Sequence, residues 1–353
     1  MKSVIAREDA DYVVKLIRPV LDKLRGKTLL ITGVTGFMGS CLLESVASYN
    51  DLFGGFSPCR VTGLARNPHR LTLTASYLLN RNDVTILTGD AADFEFSESF
   101  DYVIHAAAPV DPVVLSNDRI GTADSIVNCT RQVLRQSSRR NIGRLLHISS
   151  GAVYGRQPLD MTGLREDYLG GPDITDPNWA YGEAKRYSEI LCSMFRKVYG
   201  LSIVTARPFT FMGPYQSIDA GFAVTQFIKS GLSGKPIRIE GDGTPLRSYC
   251  YAADLCIALW KILLESKDGS VYNVGSEEAI SILELAYKVK AAIGGKTEVV
   301  VMRDPVPDQK PARYIPDVSR LKKELDVSPN FSLNEALSRT ISWMHEINPA
   351  QRD

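Results

Sequence analysis

Three side chains of this protein have the types and spacing that proton transfer requires. Tyr181 and Lys185 are four residues apart in a helix-forming run, which puts both side chains on one face of a helix. A lysine ammonium beside a phenol favours the phenolate and lowers the tyrosine pKa from about 10, so the phenol can act as a general acid or base. Upstream, Ser150 follows the apolar run 144–148. This order predicts a hydroxyl at the carboxyl end of a strand, where open α/β sheets bind their ligands.

A glycine-rich turn near the amino terminus supplies a second chemical element. The apolar run 28–32 leads directly into Gly33, Gly36 and Gly39. The first glycine permits a sharp bend, the second lets backbone approach a pyrophosphate, and the third allows a helix to pack closely on the sheet. The N–H groups at the start of that helix attract phosphate oxygens. Such a pattern also occurs in ordinary turns, but a strand before it and a helix after it favour a dinucleotide-binding loop.

The elements that must position these residues alternate along the chain. We predict strands near residues 28–32, 60–65, 84–88, 101–106, 144–149 and 202–207, with a further strand at 271–274. Helical runs separate the strands, and this alternation is typical of a parallel, doubly wound sheet of the Rossmann type. Apolar residues at helical spacing between residues 8 and 25 predict an extra leading helix.

At this point the chain resembles a known family, the extended short-chain dehydrogenase/reductases that modify nucleotide sugars. The resemblance covers nearly the whole chain, and its motifs stand in the family's order. They are Gly33-x-x-Gly36-x-x-Gly39, Gly89-Asp90, His105-Ala-Ala-Ala108, Ser149-Ser150-x-x-Val-Tyr-Gly155, Tyr181-x-x-x-Lys185, Arg207-Pro208 through Gly213-Pro214, and Gly241-Asp-Gly-x-x-x-Arg247 before Asp254.

The resemblance implies a role for each matching residue. Catalytic roles fall on Ser150, Tyr181 and Lys185. Cofactor contacts are expected from Gly33, Thr35, Gly36, Phe37, Met38, Gly39, Arg66, Asp90, Ala91, Ala106, Ala107, Ala108, Tyr181, Lys185 and Pro208. Substrate contacts are expected from Ser150, Gly151, Thr210 and Arg247.

The predicted domains are discontinuous. A leading helix occupies residues 1–26, and a Rossmann-type dinucleotide-binding domain occupies 27–209 plus about 251–284. A smaller α/β lobe for the nucleotide sugar occupies about 210–250 plus 285–345. The chain therefore crosses twice between the two larger units.

Cofactor choice depends on the end of the second strand. Folds that select NAD place an acidic side chain there for the ribose hydroxyls, whereas this chain has Ala65 and Arg66. Arginine can bind a 2′-phosphate with two hydrogen bonds. We therefore expect NADP as the preferred cofactor and NAD as the alternative. If Arg66 is only a solvated loop arginine that contacts no ligand, this position does not decide between NADP and NAD.

The reaction type is inferred from the residues that follow the catalytic hydroxyl. The family's 4,6-dehydratases carry Asp and Glu there and its decarboxylases keep the Glu, whereas this chain has Gly151 and Ala152. Neither can move a proton, so both reactions are disfavoured unless Glu166 or Glu183 reaches the same place. Thr210 also departs from the asparagine usual in relatives. We therefore expect hydride transfer at a sugar carbon, C4, by a 4-ketoreductase. An epimerase that recycles bound NAD(P) is the alternative, and a non-catalytic scaffold that binds the cofactor is the least favoured.

Composition restricts the partners. Lysine and arginine total 41 against 40 acidic residues, a balance that favours neither nucleic acid nor a membrane surface. The six cysteines are scattered without metal-binding spacing, as in a reducing cytoplasm. We expect a cytoplasmic enzyme without a metal that acts on a nucleotide-diphosphate sugar. The helices near 122–138 and 180–197 resemble the pair that forms the family's dimer interface, which predicts a homodimer.

Overall fold

A parallel β-sheet of seven strands forms the central layer of the protein. The computed structural model describes residues 3–109 and 112–347. In chain order the strands are β1 (Thr28–Thr32), β2 (Arg60–Ala65), β3 (Val84–Thr88), β4 (Tyr102–His105), β5 (Arg144–Ile148), β6 (Ile203–Pro208), β7 (Phe211–Met212), β8 (Ile237–Ile239), β9 (Leu246–Arg247), β10 (Cys250–Tyr251), β11 (Val271–Val274), β12 (Ile280–Ser281), β13 (Val299–Val301) and β14 (Arg313–Tyr314). The central sheet has the order β11-β6-β5-β4-β1-β2-β3. This topology confirms the predicted Rossmann-type α/β fold.

Helices cover both faces of this sheet. In chain order, the helices of the described residues are α1 (Val4–Leu16), α2 (Arg18–Leu21), α3 (Phe37–Tyr49), α4 (His69–Ala75), α5 (Pro112–Asn117), α6 (Arg119–Arg140), α7 (Ala180–Tyr199), α8 (Ala223–Leu232), α9 (Ala252–Glu265), α10 (Ile282–Ala292), α11 (Ser319–Leu325) and α12 (Leu333–Ile347). None of these helices is both long and apolar enough to cross a membrane.

The alternation of side chains along β1 explains why the sheet is covered on both faces. Leu29 and Ile31 point into the core under α3 and α9, whereas Leu30 points into the opposite core under α6 and α7. All three side chains are fully buried. Since successive residues of a strand face opposite sides, an unbroken apolar run can form a strand only where both faces are covered.

Short strands outside the central sheet form three small sheets among the described residues, and most of these strands lie in the segments predicted to build the smaller lobe. Strand β8 pairs with β13, and β9 lies between β12 and β14. The pairing of β9 with β14 sets Arg247 opposite Tyr314, although the two residues are far apart in the chain. This register places the side chains of Arg247 and Tyr314 next to each other.

The leading segment is not one continuous helix as predicted. Helix α1 ends at Leu16, and the chain restarts as α2 before a short 3₁₀ turn over Asp22–Leu24. Pro19 lies in the first turn of α2, where its missing N–H and ring prevent the preceding helix from continuing. The segment packs on α3 and α9 through buried residues that include Val13, Val14 and Leu21.

Candidate active site

Two adjoining cavities lie at the carboxyl ends of the central strands. The outer cavity, of about 180 Å³, is lined by Gly33, Thr35, Gly36, Leu64, Ala65, Arg66, Asn67, Arg70, Gly89, Asp90, Ala91, Ala106, Ala107, Ala108, Pro109, Ser125 and Cys129. The inner cavity, of about 270 Å³, is lined by Gly33, Gly36, Phe37, Met38, Gly39, Ala106, Ala108, Pro112, Leu115, Ile148, Ser149, Ser150, Ala152, Tyr181, Lys185, Pro208, Phe209, Thr210, Phe211, Gln216, Phe222 and Tyr314. The glycine loop and the end of β4 line both cavities. A single elongated ligand can therefore run through the two.

The glycine loop has the shape of a phosphate cradle. Gly33 adopts a φ of +71°, and a Cβ there would lie 2.8 Å from the backbone of Ala107. A Cβ on Gly39 would lie 2.3 Å from the Gly33 carbonyl oxygen, so only glycine lets α3 approach the loop so closely. Helix α3 begins after Gly36 with no side-chain cap among the described residues. Its N-terminal N–H groups therefore face the cavities, as the diphosphate of a dinucleotide requires.

The outer cavity has basic residues where strand β2 ends. The Arg66 side chain is 68% exposed, and its Nη1 lies 3.9 Å from Asp90 Oδ2. Asp90 accepts a hydrogen bond from the Ala92 N–H at 2.9 Å and another from the Cys129 thiol at 3.5 Å. Arg70, in the first turn of α4, also lines this cavity. Both arginines are exposed at the rim, where Arg66 forms a long ion pair with Asp90, whereas the aspartate is held in place by its hydrogen bonds with Ala92 and Cys129.

The inner cavity brings together the three residues predicted to be catalytic. Tyr181 and Lys185 are in the first two turns of α7, and Ser150 follows β5. The Ser150 oxygen accepts a hydrogen bond from the Ala152 N–H at 3.1 Å, which caps the short turn Gly151–Tyr154. The Lys185 ammonium donates to the Ile148 carbonyl oxygen at 2.8 Å. The carboxyl end of β5 therefore holds both the hydroxyl and the ammonium.

The electrostatics of this cavity differ from the simple expectation. Burial raises the pKa of Tyr181, and the hydrogen bond with Ser150 offsets that rise only in part. Burial also lowers the pKa of Lys185 to about 8, while the Glu189 carboxylate acts in the opposite direction. The prediction that the pKa of Tyr181 is lowered is therefore wrong for the protein without bound ligands. Desolvation of a phenol in an apolar cavity outweighs the charge of a nearby ammonium that is bonded elsewhere.

A polar network behind the cavity fixes the position of Glu189. Its carboxylate accepts two hydrogen bonds from Arg207, at 2.9 and 2.6 Å, and one from the Ser149 hydroxyl at 2.5 Å. Arg207 also donates to the Tyr154 hydroxyl at 2.7 Å. Glu189 is four residues beyond Lys185 on α7, so the network extends from the strand that carries Arg207 to the lysine.

The residues predicted to bind substrate are not all in the cavity. Thr210 lines the inner cavity, and Gly151 lies at its edge beneath Tyr314 and Phe209. Arg247 lies outside both cavities, with its guanidinium 5.9 Å from the centre of the Tyr314 ring. Its Nη1 donates to the Leu246 carbonyl oxygen at 2.8 Å. No carboxylate in residues 3–109 or 112–347 is within salt-bridge distance of Arg247.

Sequence reasoning missed several residues of the inner cavity. The rings of Tyr314 and Phe209 pack in a tilted arrangement with centres 4.7 Å apart, and Phe211 stacks on Phe37, the first residue of α3, at 4.6 Å. Aromatic residues in short strands are usually core residues, so nothing in their local pattern singles them out. The predicted return of the chain to a small lobe was the only signal pointing to Tyr314.

Several known proteins are similar to this chain over most of its length. The chain is 29% identical to UDP-glucuronic acid decarboxylase 3 of Arabidopsis thaliana, over 88% of this chain and 86% of the relative. It is 28% identical to dTDP-4-dehydro-6-deoxy-D-allose reductase of a Streptomyces species, over 91% and 97% of the two chains. Among solved structures, UDP-glucuronic acid 4-epimerase from Bacillus cereus in complex with NAD has a TM-score of 0.74. That protein is 26% identical, and the match covers 91% of this chain and 99% of the other.

These relatives catalyse different reactions, so the likeness establishes a family and not a single activity. Residues 29–275 match the family model described as the NAD dependent epimerase/dehydratase family. The matched segment includes the glycine loop, the Ser150 strand and helix α7. The protein therefore belongs to the NAD-dependent epimerase/dehydratase family, whose members are enzymes that act on nucleotide sugars.

Proposed function

We propose that this enzyme transfers a hydride at C4 of a nucleotide-linked hexose and works as an NADP(H)-dependent ketoreductase. One observation carries the proposal. The hydroxyls of Ser150 and Tyr181 converge in the inner cavity, while the next positions, Gly151 and Ala152, carry no group that could move a second proton.

Each residue of the inner cavity has a defined task in this reaction. A bound nicotinamide cofactor supplies the hydride. Tyr181 donates its proton to the sugar carbonyl oxygen as that oxygen gains electron density, and Ser150 hydrogen-bonds the same oxygen. A raised tyrosine pKa keeps the phenol protonated, which is the form that a reduction consumes. The Lys185 ammonium stabilises the phenolate left behind and binds the ribose of the cofactor.

The positions of two acidic residues weaken the case for dehydration or decarboxylation. Glu166 accepts the N–H of Asn273 at 2.9 Å, and Glu183 lies 3.8 Å from Arg186 on the surface of α7. Neither residue lines the inner cavity. The two glutamates that could have replaced the missing carboxylate are therefore engaged elsewhere.

The outer cavity supports NADP as the preferred cofactor. Arg66 and Arg70 both line it, and the end of β2 carries no acidic residue that would repel a 2′-phosphate. Two guanidinium groups can share the phosphate oxygens through charge-assisted hydrogen bonds. NAD remains the alternative, since the Bacillus cereus 4-epimerase structure is a complex with NAD.

An epimerase that returns the hydride to the other face of the sugar is the second candidate. The solved 4-epimerase favours it, whereas the reductase from Streptomyces favours the first proposal. The two functions are separated by incubating the enzyme with NADPH and a 4-keto nucleotide sugar, or with NADP⁺ or NAD⁺ and UDP-glucose or dTDP-glucose. Stoichiometric oxidation of NADPH supports the reductase. Interconversion of two sugars with no net change in the cofactor supports the epimerase and overturns the first proposal.

Arg247 is proposed to bind the diphosphate of the nucleotide sugar. It has no acidic partner within the described residues, and burial lowers its pKa, so a ligand phosphate would be a favourable counterion. Arg247→Ala should raise the KM for the sugar nucleotide while leaving dinucleotide affinity unchanged. A variant with a normal KM and a lower melting temperature would show that Arg247 only braces its turn.

A homodimer is proposed to form through α7. Tyr187, Ile190, Met194 and Val198 are exposed by 43, 54, 50 and 70% and follow one another at helical spacing. Charged side chains in this row would prevent close packing of two copies. Sedimentation of the double variant Ile190→Asp, Met194→Asp should reveal monomers, whereas the control Phe56→Asp, at an exposed site away from α7, should sediment like the parent.

A further inference from the structure

A buried histidine that the proposed reaction does not use lies behind the wall shared by the two cavities. His105 is the last residue of β4, and the next residues, 106–108, line the outer cavity. Its Nδ1 lies 2.8 Å from Thr32 Oγ1, and its Nε2 lies 3.1 Å from Thr130 Oγ1. The imidazole therefore connects the end of β1 to helix α6 through two hydroxyl groups.

The neighbouring hydroxyl groups determine which ring nitrogen of His105 carries the proton. The Thr130 hydroxyl donates its proton elsewhere, to the Ile126 carbonyl oxygen at 2.8 Å or the Ser188 oxygen at 3.3 Å. Thr130 therefore accepts a hydrogen bond from the ring, so the proton lies on Nε2. The unprotonated Nδ1 then accepts from the Thr32 hydroxyl. In the other tautomer the buried Thr32 proton would have no acceptor among the described residues, and an unpaired buried donor is costly.

Thr32 in turn holds the start of the segment that follows β4. Its carbonyl oxygen accepts the Ala106 N–H at 3.2 Å, and its hydroxyl oxygen accepts the Ala107 N–H at 3.4 Å. The next residue, Gly33, lies so close to this segment that a Cβ on it would be 2.8 Å from the backbone of Ala107. The position of Ala107 and the bend of the glycine loop are therefore set together.

We propose that His105 is a positioning residue of the cofactor site. By accepting the Thr32 proton it leaves the Thr32 oxygen to bind the Ala107 N–H, and this bond keeps the shared wall of the two cavities against Gly33. The role rests on the proposed binding of a dinucleotide in both cavities, and it holds for the reductase and the epimerase alike. His105 lines neither cavity, so it acts on the cofactor only through Thr32.

The surroundings of His105 keep its ring neutral, as this chain of hydrogen bonds requires. Burial, together with the nearby Lys185 ammonium, lowers the pKa of His105 to about 3. The adjacent strand β5 provides a comparison, since the buried ring of His147 lies beside that of His105 with centres 5.7 Å apart. Neither nitrogen of His147 has a hydrogen-bond partner among the described residues. His147 therefore separates the effect of a buried imidazole from the effect of its hydrogen bonds.

The first test observes the hydrogen bonds directly, without cofactor or substrate. In protein whose histidine rings are labelled with ¹⁵N, the His105 signals are identified by their absence from His105→Phe. At neutral pH we expect a protonated Nε2 and an unprotonated, hydrogen-bonded Nδ1. Thr32→Val, which removes the donor, should move the Nδ1 signal of His105 further than either signal of His147. A proton on Nδ1 of His105, or an Nδ1 signal that stays in place in Thr32→Val, would overturn the proposal.

The second test measures dinucleotide affinity by fluorescence titration, with NADPH and NADH as the probes. Thr32→Val and His105→Phe should each weaken the binding of the dinucleotide about three- to thirtyfold, because the Ala107 N–H loses a correctly held acceptor. Thr32→Ser restores the hydroxyl and should bind like the parent, and so should His147→Phe, the matched control. Parental affinity in Thr32→Val and His105→Phe, with only a lower melting temperature, would show that the chain is merely structural and would overturn the proposal.

A double variant shows whether the two residues act as one chain. If His105 acts only through Thr32, adding His105→Phe to Thr32→Val should cause little further loss of affinity, because the hydroxyl to be oriented has gone. Losses that multiply in the double variant would mean that His105 acts independently and would contradict the proposal. A parent protein that binds neither dinucleotide would refute the cofactor site and the positioning role with it, while the ¹⁵N signals would still report the hydrogen bonds.

Discussion

The outer and inner cavities are two halves of one cleft, but they are built in different ways. The outer cavity is formed by the ends of β1 to β4 and their following turns, and one of its charged residues, Arg66, is largely exposed. The inner cavity combines β5, α7 and β6 with β14 of the small lobe, and its ionisable groups Tyr181, Lys185 and Tyr314 are desolvated.

This difference predicts how each half responds to change. An exposed arginine selects a ligand by charge and can be replaced with little effect on the fold. Buried hydroxyls and ammonium groups depend on their neighbours for both protonation state and direction. Substitutions in the outer cavity should therefore alter cofactor affinity, whereas those in the inner cavity should alter the chemical step.

The largest expected effect in the inner cavity comes from Tyr181→Phe. Removing the proton donor should lower kcat by about a hundredfold or more, because general acid catalysis is lost. Cofactor affinity and the melting temperature should remain close to the parent values. Single-turnover absorbance of the nicotinamide measures the step, and fluorescence titration measures the affinity. Unchanged turnover would show that Tyr181 is not the proton donor.

Gly36→Val tests the boundary shared by the two cavities. A Cβ at this position would already lie 3.2 Å from the Gly33 carbonyl oxygen, and the valine methyl groups would project into the cradle. Dinucleotide affinity should fall about a hundredfold or more, since at least two charged hydrogen bonds to phosphate are lost. Gly241→Ala is the control, because nothing lies within 4 Å of its added Cβ. Normal dinucleotide binding by Gly36→Val would mean that the loop is only structural.

Arg66→Ala addresses the outer cavity alone. We expect NADPH affinity to weaken by about 1–3 kcal/mol, the value of a charged hydrogen-bonded pair, and NADH affinity to remain unchanged. Arg70→Ala should act in the same direction. Arg60→Ala, at the opposite end of the same strand, serves as the control. Equal weakening of both cofactors, or of neither, would contradict the NADP preference.

The smallest expected effect is a shift in pH dependence caused by Glu189→Gln. Lys185 must be charged to act, so activity should decline as pH rises through its pKa of about 8. The Glu189 carboxylate raises that pKa, and its neutralisation should move the decline to lower pH by up to about one unit. Tyr154→Phe keeps the Glu189–Arg207 ion pair and should leave the decline in place. If the alkaline decline in activity stays at the parental pH in Glu189→Gln, the Glu189 network does not control the pKa of Lys185.

The sequence by itself determined the glycine loop, the strand that precedes Ser150 and the helix that carries Tyr181 and Lys185. These features are local, because a strand followed by Gly33, or two residues four apart on α7, has the same geometry wherever the segment packs. The central strands lie within about one or two residues of their predicted ends for the same reason. Each is a short apolar run, because a strand covered on both faces needs apolar side chains on both sides.

The tertiary structure alone decided which distant residues meet in the inner cavity. Tyr314 lines the inner cavity because β14 pairs with β9, and Glu189 meets Arg207 because α7 packs on β6. The pKa of Tyr181 was predicted in the wrong direction because spacing gives the nearest charge but not the depth of burial. Desolvation depends on every atom that surrounds a group, so it cannot be obtained from the residues next to it in the chain.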